Sequence, residues 1–460
     1  MESSKGKGGV NGLITRANMK FILKDNSIQR EGGMNLDKRI FGVMGLVVLA
    51  LLLVLSPILG CAPAAPPVPK PEKVVIHHFG DLSGPYAAIT APIVSGFKDF
   101  AVEFNTTGGG IDGVPITDVF RDTGGKLDAA LAAYAAFKES KPYPIVTLLY
   151  GSAESEALRE RFIEDKIVCF TNSPSPTCIY PPGYEFSTIP SYTDSFGAFI
   201  DWVSGDWAVK TGQKAKLAIL TWDTTFGKAI LVDETRNYAA KKGVEIVYEG
   251  VYGMRDLDVS TQMTGIKGKG ANWVYNNTLA HGPKVVAGAA AALGMLTNDP
   301  YDTTAGKVHV ANGPWGMDES AIALLGALGE GIVGPRSFAS WSMPEVEGIK
   351  AATAAFEKNN RKPQEKVMGY LAAWSEVYTV CDAMKKVVAK SGWGKFDGAA
   401  VKDQFLKTKD FSPQGMTLYT FTAEKPEPTK TRIFNVKGGK LLPLTDYVSC
   451  PDLRPAQPAK

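Results

Sequence analysis

Hydrophobic and polar residues follow one another along the chain in blocks that predict strands and helices in regular succession. The β-branched run Val74 to Gly80 predicts a strand, segment 81–86 a loop, and apolar residues at helical spacing around Phe97 a helix. The glycine-rich segment 105–113 then predicts a helix stop and a turn. This order is typical of an open α/β sheet, in which ligands bind at the loops that follow the carboxyl ends of the strands.

The same rhythm continues in two series and predicts parallel sheets covered by helices on both faces. The first series predicts strands 115–121, 144–150 and 167–170, helices 127–139 and 155–165, and a loop, 171–177, that cannot be helical. The second predicts strands 217–222, 245–252, 273–276, 308–312 and 331–333, with helices 227–242, 259–267, 282–293 and 319–328. Helices 345–359 and 366–390 follow, and then a hairpin-like pair of strands, 418–421 with 431–436.

The front of the chain has the layout of a signal peptide. A basic pair, Lys38-Arg39, precedes the uncharged run 40–55, and small residues lead to Cys61. A transmembrane anchor is the alternative, but the run is short and lacks a basic stop-transfer flank. Segment 62–71 contains five prolines and predicts an extended tether. The long leader leaves Met1 and Met34 as alternative starts.

Composition narrows the class of protein. With 460 residues, 45% of them hydrophobic, the chain is long enough for two lobes with large cores. The 50 basic and 47 acidic residues form no long runs, which argues against a nucleic-acid partner. Cys169 and Cys178 flank one loop and could form a disulfide, whereas Cys381 lies on a predicted buried helix. No Cys or His spacing suits a metal, so none is expected.

Motifs for catalysis or nucleotide binding are missing or in the wrong context. Gly108-x-Gly110-x-x-Gly113 matches a dinucleotide fingerprint, but a helix precedes it and a strand follows, the reverse of the required order. The sequence has no P-loop and no GxSxG elbow, and three of its four histidines lie within predicted strands. His281 alone follows a strand end. We therefore expect neither an enzyme nor a cofactor.

The order of these segments, with Ser83-Gly84-Pro85-Tyr86-Ala87 in the first loop and FNTTGGGIDGVPI at 104–116, resembles the branched-chain amino-acid type of ABC-transporter substrate-binding protein. These are type I periplasmic binding proteins, and the resemblance covers 74–447. It implies an α/β fold of two Rossmann-like lobes with parallel sheets, joined by a three-segment hinge. By this resemblance the chain crosses between lobes near 192–196, 335–341 and 412–417.

The resemblance also divides the chain into segments. Ile58-Leu59-Gly60-Cys61 looks like the lipobox of bacterial lipoproteins, which implies lipidation of Cys61. The predicted segments are 1–60 as the signal peptide with an overlong leader, 61–73 as the lipidated cysteine and tether, 74–194 plus 342–413 as the N-terminal lobe, 195–341 plus 414–450 as the C-terminal lobe, and 451–460 as a tail.

Ligand contacts are expected where hydroxyl, amide and aromatic side chains follow the strands. The candidates are Ser83, Tyr86, Tyr150, Ser152, Ala153, Ser173 and Ser175 in the first lobe and Trp222, Phe226, Thr278 and Trp315 in the second. In the family, segments matching Ser152 and Ser173 to Ser175 hold a carboxylate, and Trp315 stands where amino-acid binders have an acid. The alternatives are serines that cap helices and tryptophans that only pack.

The resulting hypothesis is a lipid-anchored, extracytoplasmic protein that captures a small organic molecule and delivers it to ABC permease subunits as a monomer. A ligand-sensing module of the same fold, signalling to a receptor, is the alternative. Because Trp315 replaces the usual acid, we expect a ligand with one polar end and an apolar or aromatic body rather than a plain α-amino acid. Asp223 or Asp318 could instead supply the missing charge.

Overall fold

Two sheets with the same internal strand order form the framework of the protein, whose structure, a computed structural model, describes residues 68–455. The first sheet has the order β2-β1-β3-β4-β5 and is parallel throughout. Its strands are β1 (Val74–Gly80), β2 (Ile116–Asp122), β3 (Val146–Leu149), β4 (Val168–Thr171) and β5 (Glu185–Ser187). The short strand β5 was not predicted.

The second sheet repeats this order and then extends it with antiparallel strands. Its order is β7-β6-β8-β9-β10-β11-β12, and β13 pairs with β11. Its strands are β6 (Lys216–Trp222), β7 (Glu245–Tyr252), β8 (Trp273–Asn276), β9 (His309–Asn312), β10 (Val333–Arg336), β11 (Lys430–Lys437), β12 (Lys440–Pro443) and β13 (Val448–Ser449). Pairing is parallel as far as β10 and antiparallel beyond it.

Fourteen α-helices connect and cover the sheets within residues 68–455. They are α1 (Ala87–Thr106), α2 (Leu127–Lys138), α3 (Ser152–Asp165), α4 (Pro176–Ile179), α5 (Tyr192–Trp202), α6 (Ala208–Thr211), α7 (Thr225–Lys228), α8 (Asp233–Lys241), α9 (Ser260–Gly268), α10 (His281–Ala292), α11 (Glu319–Leu325), α12 (Glu347–Lys358), α13 (Met368–Ser391) and α14 (Gly398–Phe405). The predicted fold class is therefore confirmed.

Two of the predicted helical boundaries were wrong. Segment 171–177 was expected to exclude helix, yet α4 begins at Pro176, where the missing proline N–H would have had no partner in the helix. The continuous helix predicted over 227–242 is broken into α7 and α8. The break is at Val232, which has an extended backbone, and the Thr235 hydroxyl lies 2.7 Å from the carbonyl oxygens of Ile230 and Val232, to which it donates.

The predicted hairpin was also wrong. Segment 418–421 is not a strand of either sheet; Tyr419 forms only an isolated bridge with Phe411 and packs in the core of the first lobe. The true hairpin joins β11 to β12 through Gly438 and Gly439, which both have positive φ. Consecutive glycines are the usual signal for such a turn, and that signal was overlooked.

Each sheet has its own hydrophobic core, and the two cores define two lobes. In the first lobe, helices α1, α12 and α13 pack on one another, and α1 also packs beside β2. In the second lobe, helix α5 packs beside β10 and β11. The chain leaves the first lobe after β5 and returns after β10, and it reaches the second lobe again before β11. The exact domain limits given above remain a prediction.

Buried ion pairs lie where the chain passes between the lobes. The Arg336 guanidinium is fully buried and donates to Glu319 at 3.0 Å and to the carbonyls of Phe338 and Ala339, each also at 3.0 Å. Lys425 pairs with the buried carboxylate of Asp194, whose other oxygen accepts from the backbone N–H of Leu453 at 2.8 Å. The bonds of Asp194 with Lys425 and Leu453 join segments that are far apart in sequence, and they give the buried charge the partners it requires.

Three further predictions concerned a disulfide, metal binding and the signal peptide. Cys169, Cys178, Cys381 and Cys450 are all free thiols, so the suggested Cys169–Cys178 disulfide is not formed. Over residues 68–455, no cluster of His, Cys, Asp and Glu is arranged to hold a metal, and no helix is long and apolar enough to cross a membrane. The predicted signal peptide, Cys61 and the start of the tether lie outside the described residues.

Candidate functional site

A cavity of about 290 Å³ lies between the lobes, at the carboxyl ends of the strands of both sheets. It is the place where parallel α/β sheets bind ligands. The first lobe provides Tyr86, Ile89, Ile93, Gly125, Leu127, Tyr150, Gly151, Ser152, Ala153, Glu154, Asn172 and Ser173, and the later part of the chain provides Tyr192, Thr224, Thr225, Phe226, Leu279 and Trp315. The cavity therefore combines an apolar body with a few polar groups, as small-molecule sites usually do.

The polar side of the cavity is formed by the start of helix α3. Gly151 is the N-cap of this helix and has no side chain to cap it. Instead, the carboxylate of Glu154 lies over Gly151, so close that a Cβ atom on residue 151 would overlap it. Ser152 is only 7% exposed, and its hydroxyl has no hydrogen-bond partner within the described residues. A buried hydroxyl without a partner is available to a ligand.

The charge of the cavity is negative. Burial, with the nearby Asp81 carboxylate, raises the pKa of Glu154, and a hydrogen bond from its own backbone N–H opposes the rise. Burial also raises the pKa of Tyr86 to about 12, and the carboxylates of Glu154 and Asp81 add to that shift. No Lys, Arg or His is among the described residues that line the cavity. An anionic ligand group would therefore find no cationic side chain there.

The second lobe contributes the rings of Phe226 and Trp315 to the cavity, beside two threonines and Leu279. Thr224 caps helix α7, because its hydroxyl oxygen accepts from the backbone N–H of Gly227 at 3.0 Å. This cap places Phe226 edge-on to Tyr192, with ring centroids 5.0 Å apart. Trp315 follows β9 and is 4% exposed. The rings of Phe226 and Trp315 thus line the cavity together with that of Tyr192.

One hydrogen bond next to the cavity joins the two lobes directly. The indole N–H of Trp315 donates to the backbone carbonyl of Asn172 at 3.1 Å. Asn172 directly follows β4 of the first sheet, whereas Trp315 follows β9 of the second. The hydroxyl of Tyr192 donates to the same carbonyl at 3.4 Å. The polar group of Trp315 is therefore already bonded to protein, and only its ring faces the cavity.

The structure brings together many of the predicted site residues but not all of them. Those that line the cavity are Tyr86, Tyr150, Ser152, Ala153, Ser173, Phe226 and Trp315. Four predicted residues, Ser83, Ser175, Trp222 and Thr278, are not among the lining residues. Position after a strand was therefore a useful guide, but it did not tell which side chains face the cavity.

Each of the four exceptions has a structural reason. Ser83 lies in a loop held by Asp122, whose carboxylate accepts from the N–H of Leu82 at 2.8 Å. Ser175 is the N-cap position of α4, and Thr278 donates to the Asn276 side chain. Trp222 is the last residue of β6 and packs on His281, with ring centroids 4.6 Å apart. His281, the only histidine expected after a strand, is likewise absent from the cavity lining.

Neither acid suggested as a substitute at the position of Trp315 lines the cavity. The Asp223 carboxylate pairs with Lys228 at 2.7 Å on the surface. Asp318 is buried and caps α11, accepting from the N–H groups of Ser320 and Met368 at 2.8 Å each. The carboxylate that does line the cavity, Glu154, was missed. It stands two residues after Ser152, in the first turn of α3, so the available signal was its position just after a strand.

Other lining residues were missed because their role depends on packing between distant segments. Asn172 is adjacent to the predicted Ser173 but was read as part of a loop. Tyr192 was assigned to a crossing segment, yet it begins helix α5 and faces the cavity. Ile89, Ile93 and Leu279 are ordinary apolar residues with no pattern that separates a cavity wall from a core.

Two lobes with a cavity between the carboxyl ends of their sheets define a bilobal ligand-binding protein. The model of the family described as periplasmic binding protein matches residues 73–440, and the chain belongs to this family. The predicted resemblance is thereby confirmed. Members of the family are extracytoplasmic substrate-binding components of ABC transporters rather than enzymes. No curated protein sequence matches the chain.

Solved structures show the same fold at low sequence identity. A branched-chain amino acid ABC transporter protein from Thermus thermophilus with bound valine is 19% identical, with a TM-score of 0.73 over 84% of this chain and 98% of that one. A fatty acid ABC transporter substrate-binding protein from Thermomonospora curvata is 18% identical, with a TM-score of 0.70 over 84% and 95%. The Streptococcus pneumoniae branched-chain amino acid protein in complex with isoleucine is 17% identical, with a TM-score of 0.62 over 82% and 99%.

Proposed function

We propose that this protein captures a small organic molecule between its lobes and delivers it to an ABC permease. The observation that carries the proposal is the cavity itself, which has a polar wall from α3 and an aromatic wall from the second lobe. The ligand has a polar end held near Ser152 and Ser173 and an apolar or aromatic body against Phe226 and Trp315. Relatives named for valine and for fatty acids support an apolar body without choosing between them.

Lobe closure around this ligand is the expected motion, because the lobes are joined only by chain crossings and by contacts such as that of Trp315 with Asn172. The test is a thermal-shift screen of amino acids, amides and aromatic or aliphatic acids, followed by small-angle scattering. A true ligand raises the melting temperature, since it binds only the native state, and reduces the radius of gyration.

The control variants separate binding at the cavity from a general effect. Phe226→Ala removes part of the aromatic wall and is expected to weaken the response, whereas Leu257→Ala alters an exposed residue of the same lobe that does not line the cavity. A library in which no compound stabilises the protein or changes its radius would contradict the proposal. Loss of signalling without loss of uptake in a deletion strain would favour the sensing module instead.

Lipid anchoring at Cys61 is a separate part of the proposal, and it is supported by the lipobox-like sequence and the proline-rich segment that follows. Cys61→Ala is expected to abolish incorporation of labelled fatty acid and to release the protein from membranes. Cys450→Ala is the matched control, because Cys450 lies far along the chain from the predicted anchor. Equal labelling of wild type and Cys61→Ala would refute the site.

A further inference from the structure

The start of α3 is occupied by the protein's own carboxylate. In a helix, the first N–H groups lack partners and attract anions, so this position suits the carboxylate of a ligand. Here Glu154 takes it, since its carboxylate lies over Gly151, in the space that a Cβ atom at that position would need. The charge that the helix end would offer to an anionic ligand is thus already balanced.

The surroundings of Glu154 make a second anion unfavourable. Asp81, the first residue of the loop after β1, is buried, and its carboxylate accepts from the N–H of Tyr86 at 2.8 Å. No cationic side chain is among the described residues that line the cavity. A ligand carboxylate placed beside Ser152 would therefore meet like charge at low solvent exposure, which costs free energy without a compensating partner.

The same arrangement suits a group that donates hydrogen bonds. Glu154 offers acceptor oxygens inside the cavity, and the Ser152 hydroxyl, more than nine-tenths buried, has no partner within the described residues. An ammonium or amide N–H can donate to the carboxylate and an amide oxygen can accept from the hydroxyl. Bonds of this kind to a charged acceptor are stronger than neutral ones.

We infer that Glu154 selects a ligand whose polar end bears N–H donors, an amine or an amide, and excludes a carboxylate from this end of the cavity. This inference rests on the proposed function and narrows the class of ligand. It also replaces the expectation that the segment at Ser152 binds a carboxylate. The apolar body of the ligand still lies against the aromatic wall.

The experiment compares three probes with the same branched aliphatic body: isopentylamine, isocaproamide and isocaproate. Calorimetry on the wild-type protein is expected to rank the amine or the amide above the acid. Glu154→Gln keeps the shape of the side chain and removes its charge. It should weaken amine binding by about tenfold to a hundredfold, the usual range for a hydrogen bond to a charged group, and should improve binding of isocaproate.

Glu156→Gln is the matched control, because Glu156 lies exposed on the same helix and does not line the cavity. It should leave all three affinities unchanged. Binding of isocaproate alone, binding of none of the three probes, or an unchanged ranking in Glu154→Gln would overturn the inference. If Glu154→Gln does not fold, the order of the three affinities for the wild-type protein still tests the inference. The proposed function fails separately, when no compound of the wider library closes the lobes.

Discussion

The two lobes share one strand order but present different chemistry to the cavity between them. In both sheets the first strand lies between the second and the third, so both place their cavity-facing loops at corresponding edges. Both lobes line the cavity with aromatic rings and hydroxyls, but only the first adds a carboxylate, that of Glu154, whereas the second adds the indole ring of Trp315. Topology thus sets where a ligand lies, whereas the residues on the loops set what it can be.

The interiors of the lobes also differ in the kinds of side chain that they bury. In the second lobe, Trp273 is fully buried and packs edge-on against Trp202 and Trp207, with ring centroids 5.7 and 5.6 Å away. In the first lobe, the fully buried Glu376 on α13 has no hydrogen-bond partner for either carboxylate oxygen within the described residues. A cluster of tryptophan rings thus lies in the core of the second lobe, while the first lobe contains a buried acid without a partner among the described residues, whose charge is costly.

The largest expected loss of stability follows from removal of a buried ring in the second lobe. Trp273→Ala should lower the free energy of unfolding by about 3–5 kcal/mol, because it leaves a cavity where several rings meet. Urea denaturation measures the loss. Leu257→Ala is the control, since Leu257 is 87% exposed in the same lobe and its truncation should change stability by less than about 0.5 kcal/mol.

The next prediction tests the buried acid of the first lobe. Burial raises the pKa of Glu376 from 4.5 to about 8, so the folded protein holds a proton that the unfolded chain releases. Wild-type stability from this group is complete below pH 4.5 and is lost as pH rises towards 8. Glu376→Gln stays neutral, so its free energy of unfolding relative to wild type should grow by a few kcal/mol across this window.

Denaturation at several pH values measures that difference. Glu357→Gln alters an exposed acid of α12 in the same lobe and should show no such trend. A Glu376→Gln difference that is constant with pH would mean that the buried carboxyl group does not titrate in this range.

A smaller effect is expected at Asp318, which caps α11 and also accepts from the N–H that begins α13. Asp318→Ala removes both bonds and should cost about 1–3 kcal/mol, whereas Asp318→Asn retains a capping oxygen and should cost less. Ligand affinity should be unchanged in both, because Asp318 does not line the cavity. Loss of binding in Asp318→Ala at full folding would restore Asp318 as the missing acid.

The smallest expected loss of stability concerns the hydrogen bond from Trp315 to Asn172, which joins the two lobes. Trp315→Phe keeps a ring but removes the donor to Asn172, which should cost about 0.5–1.5 kcal/mol and favour more open lobes and faster ligand release. Stopped-flow release and scattering measure this. Trp222→Phe is the matched control, because the buried indole N–H of Trp222 has no partner within the described residues. Equal release rates in both variants would show that the bond does not hold the lobes together.

The sequence by itself determined the local elements and their alternation. The β-branched run at 74–80 and the apolar run at 273–276 predicted β1 and β8 with the bounds that the structure has, because a buried strand needs no more than its own side-chain pattern. The turn at 105–113 was predicted from its glycines, and in the structure Gly110 and Gly113 adopt the positive φ that favours glycine.

Tertiary structure decided which of these local features form the site. Ser152 and Ser175 both follow strands, and both have buried hydroxyls without a partner among the described residues, yet only Ser152 lines the cavity, because of where α3 and α4 lie. Glu154 carried no signal in the sequence beyond its position, but in the structure its carboxylate lies over Gly151 and lines the cavity, where we infer that it selects the ligand. Burial and partners arise from segments that are distant in sequence, and they, rather than residue type, determine the free energy of a polar group.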